Sequence, residues 1–451
     1  MRVERVPHLV YLETFGCQMN QLDSELLVER FLQHGYEMTE EIDRAGVIVY
    51  NTCSVRAHAE DKVYSNLGRL KFAKRACEEL VIAVVGCMAQ LQKEQIHRRM
   101  PHVDIILGTG EFTRLPELVE QARRTQSLIS GFDLKDVRIS RGGGYLRNRH
   151  SAYVSIIRGC DMPCTYCVVP TTRGKQVSRY PREILAEVEF LRDQGVKEIT
   201  LLGQTVDAYG RDIDKRLTLA KLLELLDRVE GIERIRFVTS HPSFITVDLM
   251  DAVAGLSKVC EYIHMPAQSG SDRILRRMRR GYNRRIYLEK VEMLRERIPE
   301  VAIASDFIVG YPGEGEEDFQ LSVDLIEEVG FQNSFIFKYS PRPGTKAWGV
   351  EENVSLEEKK RRNQILLEVQ GRVSLRWKQA QLGRVVEILV EGYSKSNPSR
   401  LSGRTRGNDI VVFDFEGFCA DSLIGKLVSV ELKSANSYTF IGELIHQPLE
   451  I

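Results

Sequence analysis

The sequence lacks any long apolar run. In its 451 residues no segment approaches the ~20 consecutive apolar residues that a membrane-spanning helix requires. The first seven residues alternate charged residues with valine and contain no apolar stretch of the signal-peptide kind. We therefore expect neither a membrane protein nor a secreted one, and the predicted location is the cytoplasm.

The chain also lacks net charge and an even number of cysteines. Lys and Arg total 63, as do Asp and Glu, so the overall charge gives no sign of a polyanionic partner. Nine cysteines cannot all form disulfides with one another. In a reducing compartment, free thiols more often bind metals or take part in catalysis. The cysteines are therefore the first place to look for chemistry.

The distribution of charge is more informative than its total. Residues 138–182 contain nine Lys or Arg and one acid, a net charge of +8. Residues 272–297 contain ten Lys or Arg and four acids, a net charge of +6. Either stretch alone could be a solvated face. Because the two flank the cysteine motif described below, together they favour a polyanionic substrate.

Apolar patterning divides the chain into units of the α/β fold class. Residues 1–130 alternate strands with helices, which predicts a parallel α/β domain. A glycine-rich linker is expected at 131–150. Residues 151–350 contain six strand–helix units, which predict a barrel or partial barrel. A connecting helix at 351–382 leads to residues 383–447, which alternate without helices as in a small antiparallel β-barrel.

The strands are predicted from short apolar runs bounded by turn residues. In the first unit these are Leu9–Phe15, Val47–Tyr50, Leu80–Val85 and Asp104–Leu107. In the second they are Tyr153–Ile157, Glu198–Leu202, Ile235–Thr239, Tyr262–Met265, Ile303–Val309 and Ser334–Tyr339. In the last they are Val385–Val390, Asp409–Phe413, Leu427–Leu432 and Tyr438–Leu444.

Cys160, Cys164 and Cys167, here called the loop triplet, form the motif C-x3-C-x2-C after the first predicted strand of the barrel. Three thiolates at this spacing can bind three irons of a 4Fe–4S cluster and leave the fourth iron open. A zinc site is the alternative, but structural zinc normally takes four protein ligands, and the nearest histidine is His150. The spacing favours a cluster with an open iron, which can bind a substrate or cofactor.

Cys17, Cys53 and Cys87, here called the N-terminal triplet, follow the first three predicted strands of the first domain. The carboxyl ends of parallel strands meet at one edge of a sheet, where open α/β sheets bind ligands. Three isolated cysteines could instead be small buried hydrophobic residues. Each of these, however, lies in a polar or glycine-containing turn, which favours a second three-cysteine cluster. The cysteines interpreted as structural are Cys77, Cys260 and Cys419.

Residues 160–167, Cys-Asp-Met-Pro-Cys-Thr-Tyr-Cys, resemble the motif of the radical-SAM superfamily. The resemblance implies that the open iron binds S-adenosylmethionine and that its reductive cleavage gives a 5′-deoxyadenosyl radical. The short glycine-containing segments at the strand ends, which would contact the cofactor, could also be ordinary turns. The candidate cofactor contacts are Tyr166, Gln204, Ser240, Gln268 and Asp306.

From end to end the chain resembles the methylthiotransferase family, and within it the branch that modifies N6-isopentenyladenosine in transfer RNA, the MiaB type. Two loops depart from the family pattern. Residues 203–209 are Gly-Gln-Thr-Val-Asp-Ala-Tyr, where Gly-Gln-Asn-Val-Asn-Ser-Tyr is more usual, and residues 170–174 have Thr for Tyr at the second position. The segments that carry the resemblance are Gly16–Asn20, Asn51–Arg56, Gly86–Gln90, Arg158–Asp161, Thr239–Pro242, Gln268–Ser271 and Tyr339–Thr345.

The resemblance implies two 4Fe–4S clusters, one binding S-adenosylmethionine and one auxiliary cluster carrying sulfur at the N-terminal triplet. The reaction would be methylthiolation at C2 of the adenine next to the anticodon (position 37). A flavodoxin- or ferredoxin-like electron donor, a TRAM-type RNA-binding barrel and a monomeric enzyme are also expected. The candidate RNA contacts are Arg173, Lys175, Arg179, Arg276, Arg277, Arg279, Arg280, Lys395, Arg400, Arg404 and Arg406.

Two alternatives remain open from the sequence. The same chemistry could act on threonylcarbamoyl-adenosine of transfer RNA or on an Asp of a ribosomal protein. The residues after Cys17 and Cys53 favour the isopentenyl branch. The second alternative is a non-catalytic iron–sulfur protein that binds RNA or carries electrons. Two sets of three cysteines argue against it, because an electron carrier normally supplies four ligands per cluster.

Overall fold

The computed structural model describes residues 5–54, 57–134, 141, 145–415 and 419–445. Much of the predicted glycine-rich linker lies outside these residues, as do Val55 and Arg56 of the second cysteine turn. Among the helices of the described ranges, none combines the length and apolar character that spanning a bilayer would require.

The N-terminal unit is an all-parallel six-stranded sheet in the order β2-β1-β3-β4-β5-β6. Its central strands β3 and β4 are buried at every position, because helices cover both faces of the sheet. The parallel α/β prediction is confirmed, and the short strands β2 and β6 are additions to it. The strands are β1 (Val6–Thr14), β2 (Glu37–Met38), β3 (Ala45–Thr52), β4 (Val81–Gly86), β5 (Ile105–Leu107) and β6 (Ile129–Gly131). The helices are α1 (Gln18–Gln33), α2 (Ala57–Ala76), α3 (Cys87–Arg99) and α4 (Leu115–Thr125).

The central unit contains six parallel strands in two three-stranded sheets, β7-β10-β11 and β12-β13-β14. A parallel bridge between Ile235 and Val259 joins the sheets, which confirms the predicted partial barrel. The strands are β7 (Ser151–Ser155), β8 (Ile157–Arg158), β9 (Val177–Ser178), β10 (Glu198–Leu202), β11 (Arg234–Phe237), β12 (Tyr262–His264), β13 (Ala302–Val309) and β14 (Asn333–Lys338). The helices are α5 (Val169–Arg173), α6 (Pro181–Asp193), α7 (Leu219–Asp227), α8 (Val247–Gly255), α9 (Asp272–Met278), α10 (Arg284–Arg297) and α11 (Glu316–Val329).

The N-terminal unit packs against the inner face of the partial barrel. One buried apolar cluster contains Leu22 and Leu26 of α1 together with Ala302 and Ala304 of β13. His264 is paired with Ala304 in the sheet register, so its side chain projects toward the same interior. The N-terminal unit and the partial barrel therefore share a buried apolar core.

The C-terminal unit is a closed five-stranded barrel in the order β15-β16-β17-β19-β18, reached through α12 (Leu356–Gln379). The small β-barrel prediction is confirmed, with two differences. The pairing of β17 with β19 is parallel, whereas the other four are antiparallel. Strand β16 was not predicted, because only one of its inward positions, Leu401, is a large apolar residue, and the other two are Gly403 and Thr405. The elements are β15 (Val385–Tyr393), β16 (Leu401–Thr405), β17 (Ile410–Asp414), α13 (Ala420–Leu423), β18 (Leu427–Ala435) and β19 (Thr439–Leu444).

Two buried arginines of β11 hold this barrel to the central unit through its main chain. Arg234 donates to the carbonyl oxygen of Arg404 at 2.7 Å, and Arg236 donates to those of Thr405 and Arg406, each at 2.5 Å. In return, the Arg406 side chain pairs with Glu261 at 2.7 Å. The Arg406 guanidinium is therefore engaged at the domain interface, and its contact with RNA stays a prediction.

Replacing Arg236 with methionine should destabilise this interface strongly. The variant leaves Glu198, which pairs with Arg236 at 3.0 Å and is also buried, without a counter-charge. Breaking a buried pair of this kind costs about 3–5 kcal/mol. Urea denaturation should show this loss, and limited proteolysis should release the C-terminal barrel. The matched control is Arg400→Met, which removes an exposed pair with Asp414 and should cost at most about 1 kcal/mol. Equal losses in the two variants would contradict the proposed anchoring role.

Candidate functional site

The N-terminal triplet lies at the carboxyl edge of the first sheet. Cys17 follows β1 and caps the start of α1, Cys53 follows β3, and Cys87 is the first residue of α3 after β4. Strands β1, β3 and β4 are neighbours in the sheet and run parallel, so their ends converge. Cys53 and Cys87 are buried, and Cys17 is exposed.

Two glycines allow the cysteine turns to approach one another. Gly16 and Gly86 both have positive φ, of 149° and 99°. A Cβ at Gly16 would lie 2.5 Å from the Cβ of Cys53, and one at Gly86 would lie 2.5 Å from the carbonyl oxygen of Thr52. Such separations are closer than non-bonded atoms tolerate, so only glycine fits at these two positions.

A pair of buried asparagines fixes the turns around the triplet. Asn20 Nδ2 donates to Asn51 Oδ1 at 3.0 Å and to the Thr52 carbonyl oxygen at 3.1 Å. Asn51 Nδ2 returns a bond to the Asn20 carbonyl oxygen at 2.9 Å. The Cys17 thiol donates to Asn20 Oδ1 at 3.3 Å. Each amide therefore satisfies its partner while holding α1 and β3 at a fixed separation.

The thiols of this triplet interact with one another and with a buried arginine. A hydrogen bond with the Cys53 thiol lowers the pKa of Cys17 to about 6, and the charge of Arg173 contributes to the lowering. Burial raises the pKa of Cys87, and the Arg173 charge opposes this rise. One cation therefore acts on both thiols, and a lowered thiol pKa favours the thiolate that binds iron.

The role predicted for Arg173 from the sequence is wrong. It was expected to contact phosphate, yet its side chain is only 3% exposed and its Nη2 donates to Asp23 Oδ2 at 2.7 Å. The RNA-contact expectation is also wrong for Arg179, which is buried and pairs with Glu187 at 2.6 Å. A basic segment in the sequence does not tell which of its cations face solvent. In the sequence, the role of Arg173 could have been suspected only from its closeness to the loop triplet, six residues after Cys167.

The loop triplet lies beyond β8, in the loop that leads to α5. Cys160 is buried, its sulfur lies 3.3 Å from Thr205 Oγ1, and it accepts a bond from the Met162 amide at 3.4 Å. Burial raises the pKa of Cys167 to about 12, and the neighbouring Cys164 and Cys160 thiols add to the effect. The structure therefore brings the three sulfurs into one electrostatically coupled group.

Arg280 is the buried cation of the loop triplet. Its Nη1 donates to Cys164 Sγ at 3.3 Å and its Nη2 to the Pro266 carbonyl oxygen at 3.2 Å, while Nε donates to the Tyr282 hydroxyl at 3.0 Å. The expectation that Arg280 contacts RNA phosphate is therefore wrong. Burial raises the pKa of Tyr166, a candidate cofactor contact, well above its ordinary value, and the charge of Arg280 opposes this rise.

The other candidate cofactor contacts occupy strand ends around this loop. Gln204 Oε1 accepts a bond from the Gly159 amide at 2.6 Å, directly before Cys160. Asp306 Oδ1 lies 3.1 Å from His264 Nε2 in the barrel interior. Gln268, with φ of 69°, donates its backbone N–H to the Asp306 carbonyl oxygen. Ser240 is buried, and its Oγ has no hydrogen-bond partner among the described residues.

Asp207, in one of the loops that depart from the family pattern, is a buried carboxyl group. Its Oδ2 accepts a bond from the His241 amide at 2.8 Å, and its Oδ1 has no partner among the described residues. Burial raises the pKa of Asp207 to about 8, against the lowering effects of the His241 amide and of the Arg280 and Arg211 charges. The group is therefore protonated at neutral pH and resembles the amide of asparagine in shape and charge.

This protonation predicts a pH-dependent stability difference between the wild type and Asp207→Asn. A carboxyl group whose pKa is raised by folding stabilises the fold fully below its ordinary pKa, and the contribution is lost as pH rises through 8. We expect the unfolding temperature of the wild type to fall relative to that of Asp207→Asn between about pH 4 and 8, the interval between the ordinary pKa and the raised one. Differential scanning fluorimetry measures this difference directly, and a difference independent of pH would contradict the assignment.

Helix α5 connects the two triplets. It starts at Val169, two residues after Cys167, and ends at Arg173, whose guanidinium lies beside the N-terminal triplet. At a rise of about 1.5 Å per residue, the five residues of this helix span roughly 7.5 Å. Thr109 Oγ1 also bonds the Thr172 carbonyl oxygen and holds the end of α5 against the N-terminal unit. The triplets therefore lie within one compact region at the junction of the two units.

The donor sets fit iron–sulfur clusters better than single metal ions. Within the described ranges, no three His, Cys, Asp or Glu residues are grouped closely enough to hold one metal ion. Cysteines that bind a 4Fe–4S cluster each bind a different iron, so their sulfurs surround a larger body than a single ion. Each triplet supplies three soft thiol ligands, the ligand type by which proteins hold iron–sulfur clusters.

The exposed members of the predicted RNA contacts lie on two surfaces. Arg276, Arg277 and Arg279 are exposed at the end of α9, and Lys175 is exposed just beyond α5. On the C-terminal barrel, Lys395 is exposed. Besides Arg406, the barrel candidates that are engaged in ion pairs are Arg400, with Asp414, and Arg404, with Glu391.

Three segments of the chain match described families. Residues 9–108 match the uncharacterized protein family UPF0004, residues 154–326 the radical SAM superfamily, and residues 379–445 the TRAM domain. The radical SAM match implies a 4Fe–4S cluster and S-adenosylmethionine, which are assigned to the central unit. The TRAM match coincides with the closed barrel.

Solved structures share the fold at low sequence identity. A radical S-adenosylmethionine methyltransferase, TsrM, from Kitasatospora setae is 14% identical, with a TM-score of 0.55 over 75% of each chain. The cobalamin-dependent S-adenosylmethionine radical enzyme OxsB is 14% identical, with a TM-score of 0.52 over 81% of this chain and 56% of its own. These similarities concern architecture alone.

Curated relatives match nearly the whole chain. The tRNA-2-methylthio-N(6)-dimethylallyladenosine synthase of Symbiobacterium thermophilum is 45% identical over 98% of this chain and 95% of its own length. The enzyme of the same name from Moorella thermoacetica is 44% identical over 96% of this chain and 97% of its own. The chain therefore belongs to the radical-SAM methylthiotransferases, in the family of the tRNA-2-methylthio-N(6)-dimethylallyladenosine synthases, the MiaB type.

Proposed function

We propose that this enzyme methylthiolates C2 of N6-isopentenyladenosine at position 37 of transfer RNA. The product is 2-methylthio-N6-isopentenyladenosine, and each turnover uses two molecules of S-adenosylmethionine and a reductant. The observation that carries the proposal is the pair of three-cysteine groups joined by α5, since each would leave one iron of a 4Fe–4S cluster without a protein ligand. The names of the full-length relatives support the same reaction.

The chemistry requires more than the side chains of this site can supply. An aromatic ring C–H is a very weak acid, and a general base accelerates proton transfer by only about 10²–10⁴-fold. When bound, the cofactors would supply hydrogen abstraction at the loop triplet and sulfur at a second, auxiliary 4Fe–4S cluster on the N-terminal triplet. Holding these groups and the base together in a dry site is the part left to the protein.

Residues around the loop triplet hold its geometry. Gln204 fixes the amide of Gly159, and Arg280 fixes the sulfur of Cys164 against the barrel. Our candidates for contacts to S-adenosylmethionine remain Tyr166, Gln204, Ser240, Gln268 and Asp306. The unpartnered Ser240 Oγ supports this assignment, because a buried hydroxyl normally has a hydrogen-bond partner.

The RNA must present its target base outside the anticodon stack. Enzymes that act on a nucleotide bind it unstacked and grip the flanking backbone. The exposed arginines at the end of α9, together with Lys175 and Lys395, are the phosphate contacts that we propose. Charge reversal at these positions should weaken RNA binding and reduce its salt dependence.

Several properties accompany this proposal. We assign the enzyme to the cytoplasm, as a monomer served by a flavodoxin- or ferredoxin-like electron donor. We also propose the domain division given above, with the auxiliary cluster at residues 1–130, the linker at 131–150, the radical-SAM core at 151–350, the connecting helix at 351–382 and the RNA-binding barrel at 383–447.

Mass spectrometry of transfer RNA nucleosides tests the assignment. A strain without this gene and without a redundant enzyme should lack 2-methylthio-N6-isopentenyladenosine and accumulate the unmodified isopentenyl nucleoside. Complementation with the wild-type gene should restore it, and with Cys53→Ala should not. Unchanged levels in the deletion strain would reject the proposed substrate, and loss of the methylthio-threonylcarbamoyl nucleoside would identify the alternative branch.

A further inference from the structure

The Nη1 atom of Arg173 has no hydrogen-bond partner among the described residues. Its Nη2 donates to Asp23, but no atom of the described residues accepts a hydrogen bond from its Nη1, which is buried. The guanidinium also lies against the Cys87 thiol and acts electrostatically on Cys17. An unsatisfied donor in such a place costs about 1–3 kcal/mol. The arrangement therefore provides a hydrogen-bond donor beside the N-terminal triplet for an acceptor that is not part of the polypeptide.

The orientation of this donor is fixed on both sides. Asp23 belongs to α1, whose N-cap residue is Cys17, and Arg173 ends α5, which follows Cys167. The Asp23 carboxylate lies 2.7 Å from Nη2, and both side chains are at least 95% buried. A residue held in this way cannot turn toward solvent, so its remaining N–H is directed into the site.

We propose that Arg173 is a positioning residue for the auxiliary cluster, to which its Nη1 donates a hydrogen bond at a sulfur atom. The inference rests on the proposed function, because it requires a cluster at the N-terminal triplet. Reduction adds one negative charge to a cluster, and nearby positive charge and N–H···S bonds favour the reduced state. Arg173 therefore raises the reduction potential of this cluster, and the carboxylate of Asp23 partly offsets the effect.

The test uses full-length protein that can hold only the auxiliary cluster. Cys160→Ala/Cys164→Ala/Cys167→Ala supplies this background, reconstituted anaerobically with iron and sulfide. Arg173→Gln, Arg173→Lys and Asp23→Asn are each added to it. Arg179→Gln is the matched control, because it also removes a buried, ion-paired arginine but at a site without a triplet contact. The readouts are iron per chain and the midpoint potential from a redox titration followed by electron paramagnetic resonance.

We expect shifts in opposite directions. Arg173→Gln should disfavour the reduced cluster at least tenfold, which is about 59 mV for a one-electron couple. Asp23→Asn should favour it, Arg173→Lys should lie between the wild type and Arg173→Gln, and Arg179→Gln should leave it unchanged. A purely structural role for Arg173 predicts instead loss of iron in both Arg173→Gln and Asp23→Asn with no opposed shift in potential.

Two negative results have different meanings. A background protein that binds about four irons, with the same potential in all variants, would overturn the inference and leave the proposed function standing. A background protein that binds no iron would overturn both, because the N-terminal triplet would then not hold a cluster. If Arg173→Gln fails to fold, Asp23→Asn and Arg173→Lys still decide the matter, because each keeps a cation beside Cys17 and Cys87.

Discussion

Replacing Cys53 with alanine should leave cleavage of S-adenosylmethionine intact and abolish methylthiolation. Cys53 interacts with the Cys17 thiol in the N-terminal triplet and lies on a different structural unit from the loop triplet. A cluster held by two thiolates instead of three should be lost, so iron should fall from about eight to about four per chain. Anaerobic assays with dithionite measure 5′-deoxyadenosine, and nucleoside mass spectrometry measures the product.

Cys77→Ala is the matched control for this variant. Cys77 follows α2 in the same N-terminal unit, packs against its apolar core and does not belong to either triplet. We expect normal iron content and full methylthiolation. Full methylthiolation in Cys53→Ala would show that the N-terminal triplet does not supply sulfur, and the auxiliary-cluster assignment would fail.

Replacing Cys164 with alanine should have the complementary effect and reduce cleavage of S-adenosylmethionine to background. The Cys164 sulfur lies at the centre of the loop triplet, where it accepts a bond from Arg280 and interacts with Cys167. Its loss removes one iron ligand and leaves a buried guanidinium N–H without its sulfur acceptor. The auxiliary cluster should remain, at about four irons per chain. Methylthiolation should stop as well, because it depends on the cleavage step.

Cys419→Ala is the control for the second variant. Cys419 is exposed beside the short helix α13 in the C-terminal barrel, distant from both triplets in the fold. We expect it to behave as the wild type in both assays. If Cys164→Ala still formed 5′-deoxyadenosine above background, the loop triplet would not be the site of cleavage.

The order of strands and helices was accessible from the sequence because the signal is local. Apolar runs such as Val81–Gly86 are buried along their whole length, and their spacing identifies parallel strands. The cysteine positions at strand ends then follow from topology, since parallel strands end at one edge. Strand β16 was not predicted because Leu401 is the single large apolar residue among its inward positions. The parallel pairing of β17 with β19 depends on the closure of the barrel, which adjacent residues do not encode.

The roles of individual arginines were not accessible in the same way. Arg173, Arg179 and Arg280 lie in basic segments, yet each is buried and paired in the fold. A count of charges does not distinguish a cation that faces RNA from one that faces a thiol. The distinction arises from contacts between residues more than a hundred positions apart, such as Arg173 with Asp23 and Arg280 with Cys164.

The attachment of the C-terminal barrel has a consequence for how this enzyme tolerates sequence change. Arg234 and Arg236 hold the loop at 404–406 by its carbonyl oxygens, which every amino acid carries. Side chains that point away from this contact can therefore vary without loosening the barrel. Drift in this module can accordingly change the outer surface of the barrel while its position against the central unit stays constant.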